Sequence, residues 1–149
     1  HKNKYDLEYI WLISSDRDWD LLIQEKVGRF SYVTRKEVRL DNWKEHYDVK
    51  PELYISMKCL TGDKGDNVAG IPGIGPKRAT QLIEQYGDAM DIYSAVPIPS
   101  RYKYIQSLNE NAEQLLVNYE LMDLITYCDD AIGVDNIEDI GRVINDYRN

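Results

Sequence analysis

The sequence is poor in the residues that mark several protein classes. It has two cysteines, Cys59 and Cys128, far apart in the chain. That is too few for a disulfide scaffold, and with no export pattern at the start both are expected to be free thiols. Two histidines, His1 and His46, are too sparse for a zinc site. No apolar run approaches the ~18 residues of a membrane-spanning helix. There is no internal repeat and no low-complexity tract. The chain begins at His1 rather than Met, as expected of a piece of something longer or processed.

What remains is an ordinary globular composition: 149 residues, 43% apolar and 30% charged. A chain of this length buries roughly two-thirds of its unfolded surface and needs no staples. The net charge of −8 argues at first against a nucleic-acid partner. Its distribution removes the objection. Residues 1–60 carry 11 basic and 11 acidic side chains, residues 61–105 carry 5 and 5, and residues 106–149 carry 2 and 10. The imbalance lies wholly in the last segment, which reads as a solvated helical face.

The run Tyr9–Ile13 is apolar and ends in Ser14-Ser15-Asp16-Arg17-Asp18-Trp19-Asp20. A continuous apolar run followed by small polar and acidic residues predicts an interior parallel strand with functional groups at its C-terminal end. A short helix is expected over Asp18–Ile23, a hairpin over Phe30–Leu40 around Thr34-Arg35-Lys36, and a helix toward Tyr47 capped by Asp41. Pro51 opens a helix that stops at Gly62, and Pro76 opens another that stops at Gly87. Asp88 caps a helix to about Ala95, Pro97 and Pro99 form a connector, and residues 101–124 and 136–147 read as two further helices. The organisation predicted is α/β over residues 1–48 and helical over 49–149.

Two acidic groups stand out: Asp16-x-Asp18-x-Asp20, and Asp63-x-x-Asp66 in a glycine-rich turn. Carboxylates brought together repel unless a cation neutralises them, and all-oxygen donors favour a hard ion such as Mg²⁺ or Mn²⁺. Two such ions ~4 Å apart suit phosphodiester hydrolysis. The plainer alternative is that these are loop acids facing water. A calcium loop is excluded, because Leu21 and Val27 stand where its Gly and Glu belong. Asp20 is expected to be a helix N-terminal acid rather than a ligand.

The stretch Ile71-Pro72-Gly73-Ile74-Gly75-Pro76-Lys77-Arg78-Ala79 joins two glycines to a helix start with two cations. Glycines admit close backbone approach, and a helix N-terminus with Lys77 and Arg78 attracts phosphate. This is the helix–hairpin–helix pattern for sequence-independent gripping of DNA. It is not a P-loop, because no Gly-Lys-Ser/Thr follows Gly75. Its plainer alternative is a tight turn with a solvated basic start. Arg101-Tyr102-Lys103-Tyr104 interleaves cations and rings, a weaker sign of single-strand contact that more often marks a helix face with one buried tyrosine. Lys58, ahead of the second acidic group, either reaches a scissile phosphate or is a solvated helical side chain.

Taken in order, Ser14–Asp20, Gly62-Asp63-Lys64-Gly65-Asp66-Asn67, Ile71–Ala79 and the run through Arg101-Tyr102-Lys103-Tyr104-Ile105-Gln106 resemble the flap endonuclease / 5′-3′ exonuclease family, most closely its tailed-phage branch. The resemblance covers nearly the whole chain and weakens after about residue 128. It implies the C-terminal part of a 5′-nuclease (PIN-like) α/β mixed sheet, followed by a helical helix–three-turn–helix subdomain. By motif match, Asp16, Asp18, Asp63 and Asp66 would be metal ligands, and Lys58 would stand near them. Gly73, Gly75, Lys77 and Arg78 would hold duplex phosphates, and the carbonyls of Ile71 and Ile74 would hold a K⁺ ion.

The family's other metal carboxylates precede the first strand of this sequence, so the resemblance implies the C-terminal half of such an enzyme, with little or no activity alone. The partners implied are DNA with a 5′ flap or 5′ end, and a separately made N-terminal half if there is one. The location implied is cytoplasmic, that of the host cell if the protein is of phage origin. The rival readings are a non-catalytic duplex-binding module or accessory subunit, and a helical protein-interaction domain.

Overall fold

The computed structural model describes residues 6–148, so the expectation attached to His1 lies outside the described residues. The chain is mixed α/β and forms two compact units. One comprises the residues up to Asp41 and from Asp123 onward; the other spans Asn42–Met122.

In the first unit, β1 (Ile10–Ile13) pairs parallel with β2 (Val27–Ser31), Ile10 opposite Val27 and Ile13 opposite Phe30. β2 pairs antiparallel with β3 (Lys36–Val38), giving the order β1-β2-β3. The parallel pairing follows the sequence expectation, but the strand is not interior among the described residues. β1 lies at the sheet edge, with Trp11 40% and Ile13 62% exposed. The crossover between β1 and β2 is a 3₁₀ helix, Arg17–Leu22, where a short helix is expected. The hairpin β2–β3 turns at Arg35, whose φ of 57° is left-handed and whose N–H donates to the Ser31 carbonyl. Ile23, Val27 and Val38 are buried.

Asp41 does not cap a helix. Its carboxylate accepts from Arg39 Nε at 3.1 Å, and Asn42 precedes the 3₁₀ turn Trp43–Glu45 without a side-chain cap. The helical turn starts one residue later than expected, with Asn42 in the N-cap position, so Asp41 stands outside it.

The second unit is built round α1 (Tyr54–Thr61), which follows a 3₁₀ turn at Pro51–Leu53 and ends at Gly62. The two-residue strands β4 (Gly62–Asp63) and β5 (Val68–Ala69) pair antiparallel. Then come α2 (Pro76–Tyr86), α3 (Ala89–Ala95), α4 (Lys103–Glu110) and α5 (Glu113–Met122). α1 packs against α2, α3 and α5, and its Cys59 and Leu60 are fully buried beside Ala79, Ile92, Leu108 and Leu115. Asp88 caps α3 through a capping box with Asp91, satisfying amides at the helix start.

Residues 101–124 are not one helix. Asn111 folds its side-chain amide onto the Ser107 carbonyl at 2.8 Å and offers its own carbonyl to Gln114 N–H, closing α4 and opening α5. Asparagine competes with the helical backbone in this way. In the first unit, α6 (Cys128–Ile132) ends at Gly133, with φ 83°, and α7 (Val134–Arg148) follows at once. α7 covers the helix expected over 136–147, while α6 was not expected. The acids Asp129, Asp130, Asp135, Glu138 and Asp139 are exposed, as a solvated face requires. No helix among the described residues is long and apolar enough to cross a membrane.

Candidate metal ligands and nucleic-acid interface

The acids of the first unit sit where β1 ends. Ser14 N–H still donates to Phe30 O at 3.1 Å, extending the parallel ladder by one rung. Asp16 then takes the N-cap position of the 3₁₀ helix, with φ −73° and ψ 126°, and its Oδ1 accepts from Asp18 N–H at 2.9 Å. Arg29 of β2 pins both ends of this loop. It donates to the Ser14 carbonyl at 3.1 Å, and to both carboxylate oxygens of Asp20 at 2.5 and 2.9 Å. Asp20 is 1% exposed. It is therefore a structural acid and not a ligand, in keeping with its sequence reading. Between the pinned ends stand exposed Asp16 and half-buried Asp18.

The second acidic pair lies on the β4–β5 turn. Asp63 Oδ1 accepts from Gly65 N–H at 2.8 Å and Asp66 N–H at 3.3 Å, while Oδ2 accepts from Lys58 Nζ at 3.0 Å. The Lys58 hydrogen bond, helped by the Gly65 and Asp66 amides, holds the Asp63 carboxyl below the usual range and so keeps it charged. Lys58 is 6% exposed. The solvated alternative for this lysine is thereby excluded; it is a buried cation that orients Asp63.

Two glycines make this turn possible. A Cβ on Gly62 (φ 72°) would lie 2.3 Å from Gly70 N, and one on Gly70 would lie 2.3 Å from the Thr61 carbonyl carbon. The backbone crosses itself there, so neither position accepts a side chain. Asn118 of α5, fully buried, locks the crossing by donating to Cys59 O at 2.8 Å and Ala69 O at 2.7 Å. Gln114 Nε2 fixes the Asn118 amide from the other side at 2.8 Å. Sequence reasoning missed Asn118. The signal was a lone amide at the buried spacing Leu115, Asn118, Met122.

The hairpin follows directly. Ile71 and Ile74 are buried, and Ile71 N–H donates to Leu60 O at 2.9 Å, anchoring the loop in the core. Ile74 N–H donates to Ile71 O at 3.0 Å across Pro72-Gly73, with Gly73 at φ 79°. Gly75 is extended and precedes Pro76 with no side-chain cap, leaving the first amides of α2 open to a ligand. A Cβ on Gly75 would meet nothing within 4 Å, so the fold itself gives no reason for glycine there. Lys77 and Arg78 are exposed, and Lys77 makes no ion pair among the described residues. Arg78 turns back on the hairpin: Nη1 donates to Gly73 O at 2.6 Å, and its guanidinium lies 4.5 Å from the Tyr104 ring centroid.

The structure thus brings Asp16 and Asp18 into one turn of the first unit. It brings Lys58, Asp63 and Asp66 into one turn of the second, followed by Ile71, Gly73, Ile74, Gly75, Lys77 and Arg78 in a contiguous hairpin. The donors are carboxylate oxygens throughout, with no imidazole or thiol among them, a set that fits a hard divalent cation.

Comparison with known proteins agrees with these features. Residues 49–141 match the family described as 5′-3′ exonuclease, C-terminal SAM fold. The flap endonuclease of Escherichia phage T5 is 48% identical over 127 residues, covering 85% of this chain and 44% of that protein. DNA polymerase I of Rhizobium leguminosarum is 32% identical over 117 residues, covering 78% of this chain and 12% of that one. A crystal structure of a phage T5 D15 flap endonuclease variant, in a pseudo-enzyme–product complex with DNA and metal ions, superposes with a TM-score of 0.85 at 42% identity. It covers 96% of this chain and 54% of that one. The chain spans about half the length, or less, of the relatives it matches. The chain belongs to the 5′-3′ exonuclease family and corresponds to its C-terminal SAM-fold region.

Proposed function

We propose that this chain supplies half of the metal ligands and the duplex grip of a structure-specific 5′-3′ exonuclease or flap endonuclease that hydrolyses DNA phosphodiesters. Residues 1–48 are assigned to the nuclease core and 49–149 to the DNA-gripping subdomain. Asp16, Asp18, Asp63 and Asp66 would hold Mg²⁺ or Mn²⁺. When bound, such ions supply Lewis-acid charge against a scissile phosphate. Lys58 keeps Asp63 ionised and aimed. The open amides at the start of α2, with Lys77, would take a duplex phosphate, and Arg78 holds the hairpin that presents them. The carbonyls of Ile71 and Ile74 would take K⁺, the Ile71 oxygen sharing its second lone pair with Ile74 N–H.

The observation that carries this reading is Gly75. Among the described residues it is a glycine with no intramolecular cause, at an uncapped helix start, next to Pro76 and two residues from a lysine that makes no ion pair. A partner that approaches the backbone closely gives it a cause, and a DNA phosphate chain is such a partner. The relative crystallised with DNA and metal ions supports the same assignment.

Further metal ligands are assigned to sequence beyond these 149 residues, so the chain by itself is expected to bind duplex DNA and to cleave little or none. In the cell it would work in the cytoplasm, that of the host if the protein is of phage origin. The alternative role, a duplex-binding module or accessory subunit acting with a separately made N-terminal half, is favoured over catalysis only for the isolated chain. The test is twofold. The pure chain should bind blunt duplex DNA in a salt-sensitive way that weakens in Lys77→Ala. On flap DNA with Mg²⁺ it should show no sustained turnover. Unchanged binding by Lys77→Ala refutes the hairpin assignment, and full turnover refutes the shared-site assignment.

A further inference from the structure

The hairpin does not end at Arg78. Tyr104 of α4 stands beneath that guanidinium, and its Cβ lies 3.6 Å from where a Gly73 Cβ would be. The Tyr102 ring stacks on Tyr104, centroids 5.8 Å apart and planes 24° apart. Tyr102 is 58% exposed, and its neighbours Arg101 and Lys103 are exposed as well. Gly73, Arg78, Tyr104 and Tyr102 therefore form one continuous patch. It begins at the phosphate-gripping loop and ends in an aromatic ring flanked by cations.

A duplex backbone can take a hydrogen bond from the hydroxyl of such a ring but leaves its face unused, because duplex bases are stacked on each other and turned inward. An unpaired nucleotide offers a free π-face, and an aromatic platform beside cations is the chemistry that holds one. The patch is also stiffened in advance. Arg78 is tied to Gly73 O at 2.6 Å, and α4 is fixed at Asn109, whose amide bridges Ile98 N and O at 2.8 and 2.9 Å. A pre-ordered ring loses little freedom on binding.

We propose that Tyr102, backed by Tyr104 and Arg78 and flanked by Arg101 and Lys103, is a stacking site for an unpaired nucleotide next to the duplex held by the hairpin. The proposal rests on the function proposed above, whose substrate already has a single-stranded part, and names the residue that would contact that part. The site reads no sequence, since every base has a π-face.

The test compares the 149-residue chain with Tyr102→Leu and Tyr102→Phe. The probes are a blunt duplex and the same duplex carrying a short single-stranded extension, with 2-aminopurine placed in the extension. The wild type should bind the extended duplex more tightly than the blunt one and quench the 2-aminopurine. Tyr102→Leu should lose about tenfold on the extended duplex and lose the quench, with blunt-duplex affinity changed less than twofold. Tyr102→Phe should retain both. Equal loss on both probes, equal binding of both probes by the wild type, or a quench that survives in Tyr102→Leu overturns the stacking site while leaving the duplex grip standing. Failure of the wild type to bind either probe at low salt overturns both.

Discussion

Arg29 grips Asp20 with two parallel hydrogen bonds, 2.5 and 2.9 Å long, and spends its remaining nitrogen on the Ser14 carbonyl at 3.1 Å. Both side chains are buried. The arginine thus staples the loop that carries Asp16 and Asp18 to the middle strand of the sheet. Removing one partner leaves the other charge buried and unpaired. Asp20→Ala is expected to cost about 3–5 kcal/mol, read as a lowered urea midpoint. Asp20→Leu combined with Arg29→Met should regain most of that stability, because a buried pair replaced by apolar groups is often neutral.

The two hairpin glycines should behave oppositely. Gly73 sits at φ 79°, so Gly73→Ala forces a left-handed alanine and should destabilise the fold by about 1–2 kcal/mol. Gly75 is extended, in open space, at an N-cap position where asparagine is favoured. Gly75→Asn should leave thermal stability unchanged or higher and still weaken duplex binding. Binding that follows stability in both variants would contradict the close-approach role of Gly75.

Asn118 is the buried amide that holds the glycine crossing closed. Asn118→Ala strands the Cys59 and Ala69 carbonyls and should cost about 1–3 kcal/mol. Hydrogen exchange at the β4–β5 turn should quicken in the same variant. A stability loss without faster exchange there would assign Asn118 a packing role alone.

The two thiols should separate cleanly. Burial pushes the Cys59 thiol from its ordinary 9.0 up to about 12, whereas Cys128 is only half-buried. At pH 8 a chromogenic disulfide reagent should titrate one thiol quickly and the second only on unfolding. Because the folded state disfavours the Cys59 thiolate, its contribution to stability is full below about pH 9 and is lost as pH rises toward about 12. Cys59→Ala should flatten that alkaline decline.

Much of this architecture was legible because punctuation and periodicity agreed. Pro76 and Gly87 bracket α2, Pro51 and Gly62 bracket α1, and Asp88 caps α3, each by a local rule that tertiary contacts reinforce. Where a side chain had two possible partners, the sequence was silent about which would win. Asp41 pairs with Arg39 and stands one residue outside the turn it was expected to cap, and Asn111 took the Ser107 carbonyl and split a helix that periodicity alone ran through. Lys58 was open to two readings, a group near the acids or a solvated helical lysine, and its burial beside Asp63 removes the second. Both acidic groups were visible as motifs, whereas the residues that aim them, Arg29 and Asn118, act across many positions of chain.

The proposed function assigns acids from both stretches to the same divalent cations. Paramagnetic broadening of backbone amide signals by Mn²⁺ tests it directly, in the full 149-residue chain. Signals of Asp16–Asp18 and of Gly65–Asn67 should broaden together over one Mn²⁺ range. The double substitution Asp63→Asn, Asp66→Asn should relieve the broadening at Asp16–Asp18, although no residue of that loop has changed. Broadening at Asp16–Asp18 that persists undiminished in the double variant would contradict that assignment.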